Sequence, residues 1–238
     1  MTTRIYIAEN LNVGQTITLD TKAFQHAINV LRMRLNDSLI VFNGQGGQFD
    51  ATISGLNRKS AELSLTAFND INIESPLAIH LGQVMSRGDK MDLTIQKAVE
   101  LGVHDITPLS SDRCNVKLDD TRAAKRLAHW QQVVISACEQ CGRNTLPTLH
   151  PITPLKDWQL KPAKNKLILH PSSQSTLSDL TPGSCSIVIG PEGGFSESEL
   201  KDALANDFKC VQLGPRILRT ETAGLAMISV LQARLGDF

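Results

Sequence analysis

Over the first 72 residues, short apolar runs alternate with turn residues, and several runs alternate apolar and polar positions. Such alternation is typical of half-buried antiparallel strands. A helical spacing interrupts it between Thr21 and Leu31, where Phe24, Ala27 and Ile28 fall on one face with Leu31. The pattern predicts a small β-barrel with one helix. Its predicted strands are Arg4–Ile7, Thr16–Leu19, Ser38–Phe42, Gln48–Ile53 and Ala61–Leu65.

From about residue 73 the pattern changes to strands that alternate with helices, after the short segment Glu74-Ser75-Pro76. Such alternation implies a parallel sheet with helices on both faces. We therefore predict an α/β domain over residues 73–238, in which ligands bind beyond the carboxyl ends of the strands. The predicted strands are 77–84, 104–109, 166–170, 186–189 and 210–213, and the predicted helices are 89–101, 119–142, 197–205 and 220–235.

The segment from Ile189 to Glu199 is the clearest candidate for a binding site. A buried strand ends at Ile189, a Gly/Pro turn follows, and Ser196 with Glu199 marks a capped helix start. Three glycines in this turn expose backbone N–H groups beside a helix N-terminus, which suits a polar or anionic ligand group. A second turn, Gly214-Pro215, follows the strand 210–213. Together the turns predict a pocket, although each pattern alone also fits a plain strand-to-helix connection.

Charge and motif spacing argue against several classes of function. The turn after Ile189 lacks both the Gly-x-Gly-x-x-Gly spacing of dinucleotide-binding folds and the Gly-Lys-Ser/Thr of phosphate-binding loops. Lys+Arg and Asp+Glu both number 24, so overall charge does not indicate a nucleic-acid partner, and any basic surface must be local.

The five cysteines predict neither disulfides nor a metal site. Their odd number, without a secretory signal at the N-terminus, favours reduced thiols. Cys138 and Cys141 have Cys-x-x-Cys spacing, but no second pair or histidine cluster completes a zinc site.

No apolar run approaches the roughly twenty residues of a membrane span. We expect a cytoplasmic protein with no membrane contact and no metal.

Several segments, in a fixed order, carry a resemblance to a known family. They are Val30–Arg34, Gln83–Gly88, Gln96–Val103, Ala137–Asn144, Ile189–Gly194 and Leu213–Ala223. On these motifs the chain resembles, over nearly its full length, the RsmE family of 16S ribosomal RNA uridine-N3 methyltransferases of the SPOUT superfamily. The resemblance implies a PUA-like RNA-binding β-barrel domain at 1–72. It also implies a SPOUT methyltransferase domain at 73–238, with a parallel sheet and a deep trefoil knot.

The same resemblance implies partners and a cofactor site. The expected partners are the 16S rRNA of the small ribosomal subunit and a second copy of the chain in a homodimer. The expected cofactor is S-adenosylmethionine (SAM), held by three strand-end loops. The cofactor-binding residues matched onto those loops are Leu169, His170, Pro171, Ile189, Gly190, Pro191, Glu192, Gly193, Leu213, Gly214, Ile217, Leu218, Arg219 and Thr222.

Methylation at uridine N3 requires loss of a proton or stabilisation of the charge that develops on O2 and O4. Arg219 is the candidate stabiliser, because a planar guanidinium can meet two oxygens. Glu221 and Glu192 are the candidate bases, with the alternatives that Glu221 only favours a helix dipole and Glu192 only holds its turn. RNA contacts are expected from scattered cations rather than a basic run: Arg4, Arg32, Arg34, Arg113 and Arg143. Lys117, Arg122, Lys125 and Arg126 cluster around the start of the long helix, where Arg122 and Lys125 also fit a solvated helix face.

Two other functions remain open from the sequence. One is a non-catalytic RNA-binding or ribosome-assembly factor on the same two-domain frame. The other is a nucleotide-dependent oxidoreductase, which would have to bind NAD(H).

Overall fold

The chain folds into two compact units in the computed structural model, which describes residues 2–171, 173, 177 and 179–238. The first unit comprises Met1–Glu74 and Cys138–Leu146, and the second comprises Ser75–Ala137 and Pro147–Phe238. The sequence pattern gave no sign that residues 138–146 pack with the N-terminal segment. Across the described part of the chain, no helix combines the length and the apolar character that a membrane crossing requires.

The first unit is built on a five-stranded sheet in the order β1–β3–β4–β5–β2. Strand β1 pairs parallel with β3 and the other pairs are antiparallel. Register shifts between β4 and β5 are the bulges that bend a barrel-like sheet. All five predicted strands are present; β3 has the predicted bounds, and the other four differ at their carboxyl ends. The five strands are β1 (Arg4–Tyr6), β2 (Thr16–Thr18), β3 (Ser38–Phe42), β4 (Gln48–Leu56) and β5 (Ala61–Asn69).

The predicted helix of this unit begins as an α-helix and continues as a π-helix. Helix α1 (Thr21–Phe24) starts where the Asp20 side chain accepts a hydrogen bond from the Ala23 N–H, and π-helical turns cover Gln25–Val30. Phe24 and Ala27 are buried as predicted, whereas Leu31 is 42% exposed. A π turn holds more residues than an α turn, so the 3.6-residue spacing fails beyond Gln25 and Leu31 rotates into solvent.

The second unit is built on a parallel sheet in the order β12–β10–β11–β6–β7–β8, with β9 also paired to β7. Every strand and helix predicted here is present to within a few residues, whereas β8, β9 and α4 were not predicted because they are very short. The strands are β6 (Ile79–Val84), β7 (Asp105–Ser110), β8 (Thr148–Leu149), β9 (Thr153–Pro154), β10 (Asn165–Leu169), β11 (Cys185–Ile189) and β12 (Lys209–Val211). The helices are α2 (Lys90–Glu100), α3 (Asp120–Cys141), α4 (Leu155–Trp158), α5 (Glu197–Ala205) and α6 (Thr220–Leu235).

The centre of this sheet is dry and closely covered. All five residues of β11 are buried, as expected of a central parallel strand. Helix α6 lies so near the sheet at Gly224 that an added Cβ would be 3.3 Å from the Gln83 side-chain oxygen. Because β12, β10 and β11 are neighbours and parallel, their carboxyl ends meet at one edge of the sheet.

Candidate functional site

A pocket of about 580 Å³ lies at the carboxyl ends of β10, β11 and β12. Three loops form it, one after each strand, together with Lys90 and Arg113 from other segments of the second unit. Its size falls within the range of small-molecule sites. The loop residues that line it are Leu169, His170, Pro171, Ile189, Gly190, Pro191, Glu192, Gly194, Phe195, Val211, Gln212, Leu213, Arg216, Ile217, Leu218, Arg219, Thr220, Glu221 and Ala223.

The three glycines of the β11 turn are not equally constrained. A Cβ on Gly190 would lie 2.8 Å from the buried Phe195 ring, so no side chain fits there. Gly194 has φ +69°, a left-handed conformation that favours glycine, and its N–H donates to the Pro191 carbonyl at 2.9 Å. Gly193 has neither constraint, since its added Cβ would make only ordinary contacts with Arg113, at 3.5 Å and beyond.

The start of α5 holds this turn in place. Ser196 and Glu199 form the predicted capping box, with the Ser196 hydroxyl accepting from the Glu199 N–H at 3.2 Å. In return, Glu199 Oε2 accepts the Ser196 N–H at 2.8 Å. The second carboxylate oxygen, Glu199 Oε1, accepts the backbone N–H of Asp112 at 2.8 Å, which ties the segment after β7 to the same helix. Next to it, Arg113 donates from Nη1 to the Gly193 carbonyl at 3.1 Å. The turn is therefore fixed from both sides.

Lys90 joins the two glutamates that were predicted as bases. Its Nζ lies 3.4 Å from Glu192 Oε1 and 4.0 Å from Glu221 Oε2. The pKa of Glu221 is lowered, first by a hydrogen bond to its own backbone N–H, and also by the Thr220 hydroxyl and the charges of Lys90 and Arg219, although partial burial opposes this. A carboxyl group with a lowered pKa is a weaker proton acceptor. The arrangement argues against Glu221 as the general base.

Arg219 stands at the N-terminus of α6 and lines the pocket. Its backbone is extended, with φ −65° and ψ 155°, and its carbonyl accepts the Ala223 N–H at 2.8 Å, so the helix start fixes its position. The side chain is exposed, and no carboxylate among the described residues forms an ion pair with it. Its guanidinium is available to a substrate.

The structure brings most of the predicted cofactor residues together. Eleven of the fourteen line the pocket, whereas Gly193, Gly214 and Thr222 lie in the same loops outside its lining. Sequence reasoning missed Lys90 and Arg216. Arg216 stood in a family-like motif that could have indicated it. Lys90 had no local signal, because its partner Glu192 is 102 positions away.

Two of the predicted RNA contacts are structural residues of the first unit. Arg143 is only 4% exposed, and both its Nε and Nη2 donate to Glu74 Oε2. Arg4 donates to the side chains of Gln48 and Asn144, each at 2.6 Å, and its burial lowers the pKa of its guanidinium. Both guanidinium groups are therefore held by the protein, and their role in RNA binding stays a prediction.

The other predicted RNA contacts are exposed. Arg32, in a left-handed conformation with φ 58°, and Arg34 flank the buried Met33 in the first unit. Arg113 lines the pocket in the second unit, beside Gly193. Their role in RNA binding stays a prediction.

All five cysteines are free thiols. Burial raises the pKa of the Cys138 thiol to about 12, which keeps it protonated and unreactive at neutral pH. Burial also raises the pKa values of Cys185 and Cys210. These cysteines are components of the packing.

A second titratable cluster lies near the amino ends of β6 and β7, at the edge of the sheet opposite the pocket. Ligand atoms of His80, Asp105 and His150 lie within 4.8 Å of one another, a spacing that could hold a metal ion, although the sequence predicted no metal site. His150 Nε2 is 2.7 Å from Asp105 Oδ1, and His80 Nε2 accepts the Trp158 indole N–H at 3.2 Å. The sequence did not indicate this cluster because its members come from separate strands.

His80 should make the second unit less stable in mild acid. Burial, the largest cause, lowers its pKa to about 4 from an ordinary value of 6.5, although Asp105 opposes the shift. Between these two values the unfolded chain binds the extra proton, so stability falls as pH drops through this window. We expect His80 to account for up to about 3 kcal/mol of this loss. Urea titrations of wild type and His80→Gln from pH 7 to pH 4 check it, and parallel curves would contradict it.

Known families and solved structures match both parts of the chain. A family model described as an RNA methyltransferase domain matches residues 73–232, and one described as an RNA methyltransferase PUA domain matches residues 19–66. The ribosomal RNA small subunit methyltransferase E of Buchnera aphidicola subsp. Schizaphis graminum is 41% identical over 239 residues, which cover 98% of this chain and 97% of that protein.

Two solved structures superpose on the whole chain. A Legionella pneumophila methyltransferase in complex with the bound cofactor SAM has a TM-score of 0.97 and 41% identity, with 100% of each chain covered. The ribosomal RNA small subunit methyltransferase E of Neisseria gonorrhoeae, bound to S-adenosyl methionine, has a TM-score of 0.93 and 45% identity, again with 100% of each chain covered. With a family model over residues 73–232 and relatives of this similarity, the chain belongs to the ribosomal RNA small subunit methyltransferase E family.

Proposed function

We propose that this chain transfers the methyl group of SAM to N3 of one uridine in the 16S rRNA of the small ribosomal subunit. The observation that carries the proposal is an available guanidinium, Arg219, on the lining of a pocket of about 580 Å³ built from three strand-end loops. The relatives named above support it, since two of them were solved with this cofactor and match the full chain. We propose the cytoplasm, where the RNA substrate lies, as the place of action.

The pocket fits the cofactor in size and chemistry. Ile189, Leu213 and Leu218 offer apolar surface for a purine ring. We propose that these residues, with Leu169, His170 and Pro171, hold SAM. When bound, SAM supplies a methyl group on a sulfonium centre. The leaving group is a neutral thioether, which needs no acid to protonate it.

The chain's own task is to make uridine N3 nucleophilic and to position it. We propose that Arg219 binds the uracil oxygens and stabilises the negative charge that appears on them as N3 loses its proton. Glu192 and Glu221 are held by Lys90, so we assign them to fixing the pocket wall rather than to accepting that proton. In this mechanism the proton passes to solvent.

Gly190→Ala is expected to weaken SAM binding by about tenfold or more. The added Cβ would lie 2.8 Å from the Phe195 ring, and overpacking of this kind costs about 1–3 kcal/mol, which the turn relieves by moving into the pocket. Calorimetric titration with SAM measures the loss. Adding Phe195→Leu to this variant removes the close contact and should restore much of the SAM affinity. Equal SAM affinity in wild type and Gly190→Ala would contradict the proposed site.

We also propose a division of work within the chain. Residues 1–72 would bind RNA as a PUA-like domain, with Arg32 and Arg34 as phosphate contacts, and residues 73–238 would bind SAM and form a homodimer. Ile217, an apolar side chain 85% exposed on a pocket loop, is the kind of surface that a second copy would cover. Sedimentation of the purified chain tests the dimer.

A deep trefoil knot in the C-terminal unit is part of this proposal. Strand β12 ends at the sheet edge, yet α6 returns to pack over Gln83 and Ile189 near the centre, which is the kind of return that such a knot needs. Joining the two ends of the native chain covalently would trap the knot. After unfolding, this chain should have a smaller hydrodynamic radius than a chain whose ends were joined while it was unfolded.

Incubation of the chain with small-subunit RNA or particles and methyl-labelled SAM tests the proposed activity. We expect label in 16S rRNA, located at a uridine N3 by mass spectrometry. RNA binding without transfer would favour an assembly factor, and NAD(H) binding in a fluorescence titration would favour an oxidoreductase. Either result would contradict the proposal.

A further inference from the structure

A second depression of about 260 Å³ opens beside the cofactor pocket. It lies between the residues that follow β6, the segment after β7 and one face of α3. We call it the basic pocket, and its lining residues are Met85, Ser86, Arg87, Gly88, Asn115, Val116, Lys117, Leu118, Arg126 and Trp130. Nothing in the proposed cofactor chemistry uses it.

The lining of the basic pocket carries charge of one sign. Arg87, Lys117 and Arg126 are exposed cations, and no acidic side chain is among the lining residues. Within the described part of the chain, no carboxylate forms an ion pair with any of the three. Asp92, which contacts the lining residue Trp130, is engaged by its indole N–H at 3.1 Å and by His129 at 2.5 Å. The pocket therefore offers unneutralised positive charge to an anion.

The basic pocket and the cofactor pocket share a wall. Ser86 lines the first and Thr220 lines the second, and their hydroxyl oxygens lie 3.4 Å apart. Both residues are buried, at 7% and 8% exposure, and they separate the two pockets. A nucleotide whose base enters the cofactor pocket would thus carry its backbone past the three cations.

We propose that the basic pocket binds a backbone phosphate next to the target nucleotide. Arginine and lysine are the usual phosphate ligands of RNA-binding proteins, and such contacts fix the register of the chain without reading a base. The inference rests on the proposed function, because it takes RNA as the substrate and the cofactor pocket as the place of reaction. It assigns positioning roles to Arg87, Lys117 and Arg126, which lie outside the cofactor pocket.

Arg126→Gln, Lys117→Gln and the control Lys125→Gln test this in the full chain. Lys125 is also an exposed cation, beside Arg126 on α3, but it does not line the pocket. We expect each pocket variant to weaken RNA binding about threefold to tenfold and to reduce the salt slope by up to about one unit. SAM affinity should match wild type, because neither residue lines the cofactor pocket. The control should match wild type throughout.

RNA binding is measured without SAM, so the test does not depend on catalysis. If Arg126→Gln and Lys125→Gln give the same affinity and salt slope, the basic pocket contacts no phosphate and the inference is overturned. If the pocket variants weaken RNA binding while wild type transfers no methyl group, the inference stands and the proposed activity fails.

A single neutral methylphosphonate linkage, placed on each side of the target uridine in turn, locates the contact. At one position it should weaken binding by wild type about threefold to tenfold yet change binding by Arg126→Gln little, because the charge pair is already lost. Equal losses in both proteins at every position would mean that Arg126 acts only through the overall field, and would overturn the assignment.

Discussion

Arg219→Ala is expected to lower the rate of methyl transfer in a single turnover by about 10²–10³-fold. The guanidinium lines the pocket, its backbone is fixed by the start of α6, and no described carboxylate pairs with it. If it meets the uracil oxygens as their charge develops, its contribution is larger in the transition state than in the ground state. Affinities for SAM and RNA should change far less than the rate. Rapid-quench measurements beside equilibrium titrations compare the two.

The variant Arg219→Lys shows whether the rate depends on a contact with two oxygens or only on positive charge. An ammonium cannot span two oxygens as a planar guanidinium does, so the lysine variant should recover little of the lost rate. If Arg219 instead only holds its loop, the alanine variant will lose SAM affinity or dimer formation together with activity. An unchanged single-turnover rate in Arg219→Ala would exclude both roles.

Glu74→Ala should destabilise the first unit by about 3–5 kcal/mol, because it leaves a buried guanidinium without its counter-charge. The Arg143 and Glu74 side chains are only 5% and 13% exposed, and two nitrogens of Arg143 donate to one Glu74 oxygen. Both tryptophans of the chain, Trp130 and Trp158, lie in the second unit, so their fluorescence does not report this loss. Hydrogen exchange of first-unit peptides during urea titration measures it.

A control in the second unit is Lys97→Ala, which removes a partly exposed ion pair with Glu100. Followed by tryptophan fluorescence, it should change the stability of that unit by less than about 1 kcal/mol. Replacing both buried partners, as Glu74→Leu with Arg143→Met, should cost less than Glu74→Ala alone, because no charge is then left buried. If Glu74→Ala were no more damaging than the control, the guanidinium would have to be reaching water.

The parts of the fold that the sequence predicted correctly depend on local signals. Strand β11 is a continuous apolar run and the start of α5 is a capping box, and both effects act within a few residues. The π-helical turns at Gln25–Val30 could not be predicted, since their apolar spacing is also that of an α-helix. Nor could β8 and β9, since two residues carry no periodicity.

What the sequence could not predict shares a physical cause, which is separation along the chain. Arg143 was expected to bind RNA because it lies in a family-like segment, while its partner, Glu74, is 69 positions away and nothing near Arg143 indicates burial. The sequence grouped the glycines at 190, 193 and 194 without distinguishing them. Only the fold shows that the Phe195 ring fills the side-chain space at Gly190 and that Gly194 has a positive φ, which favours glycine. Motifs indicate that a residue matters, and packing decides how.

The first unit is discontinuous along the chain, and this limits how the protein can be divided or recombined. Asn144, which follows α3, accepts from Arg4 and donates to the Ile71 carbonyl, while its neighbour Arg143 holds Glu74. A gene fusion that transplanted only the first 74 residues would leave part of their fold behind. The two units must therefore be inherited together, and a change at Arg4 or Glu74 calls for compensation in the distant 138–146 segment.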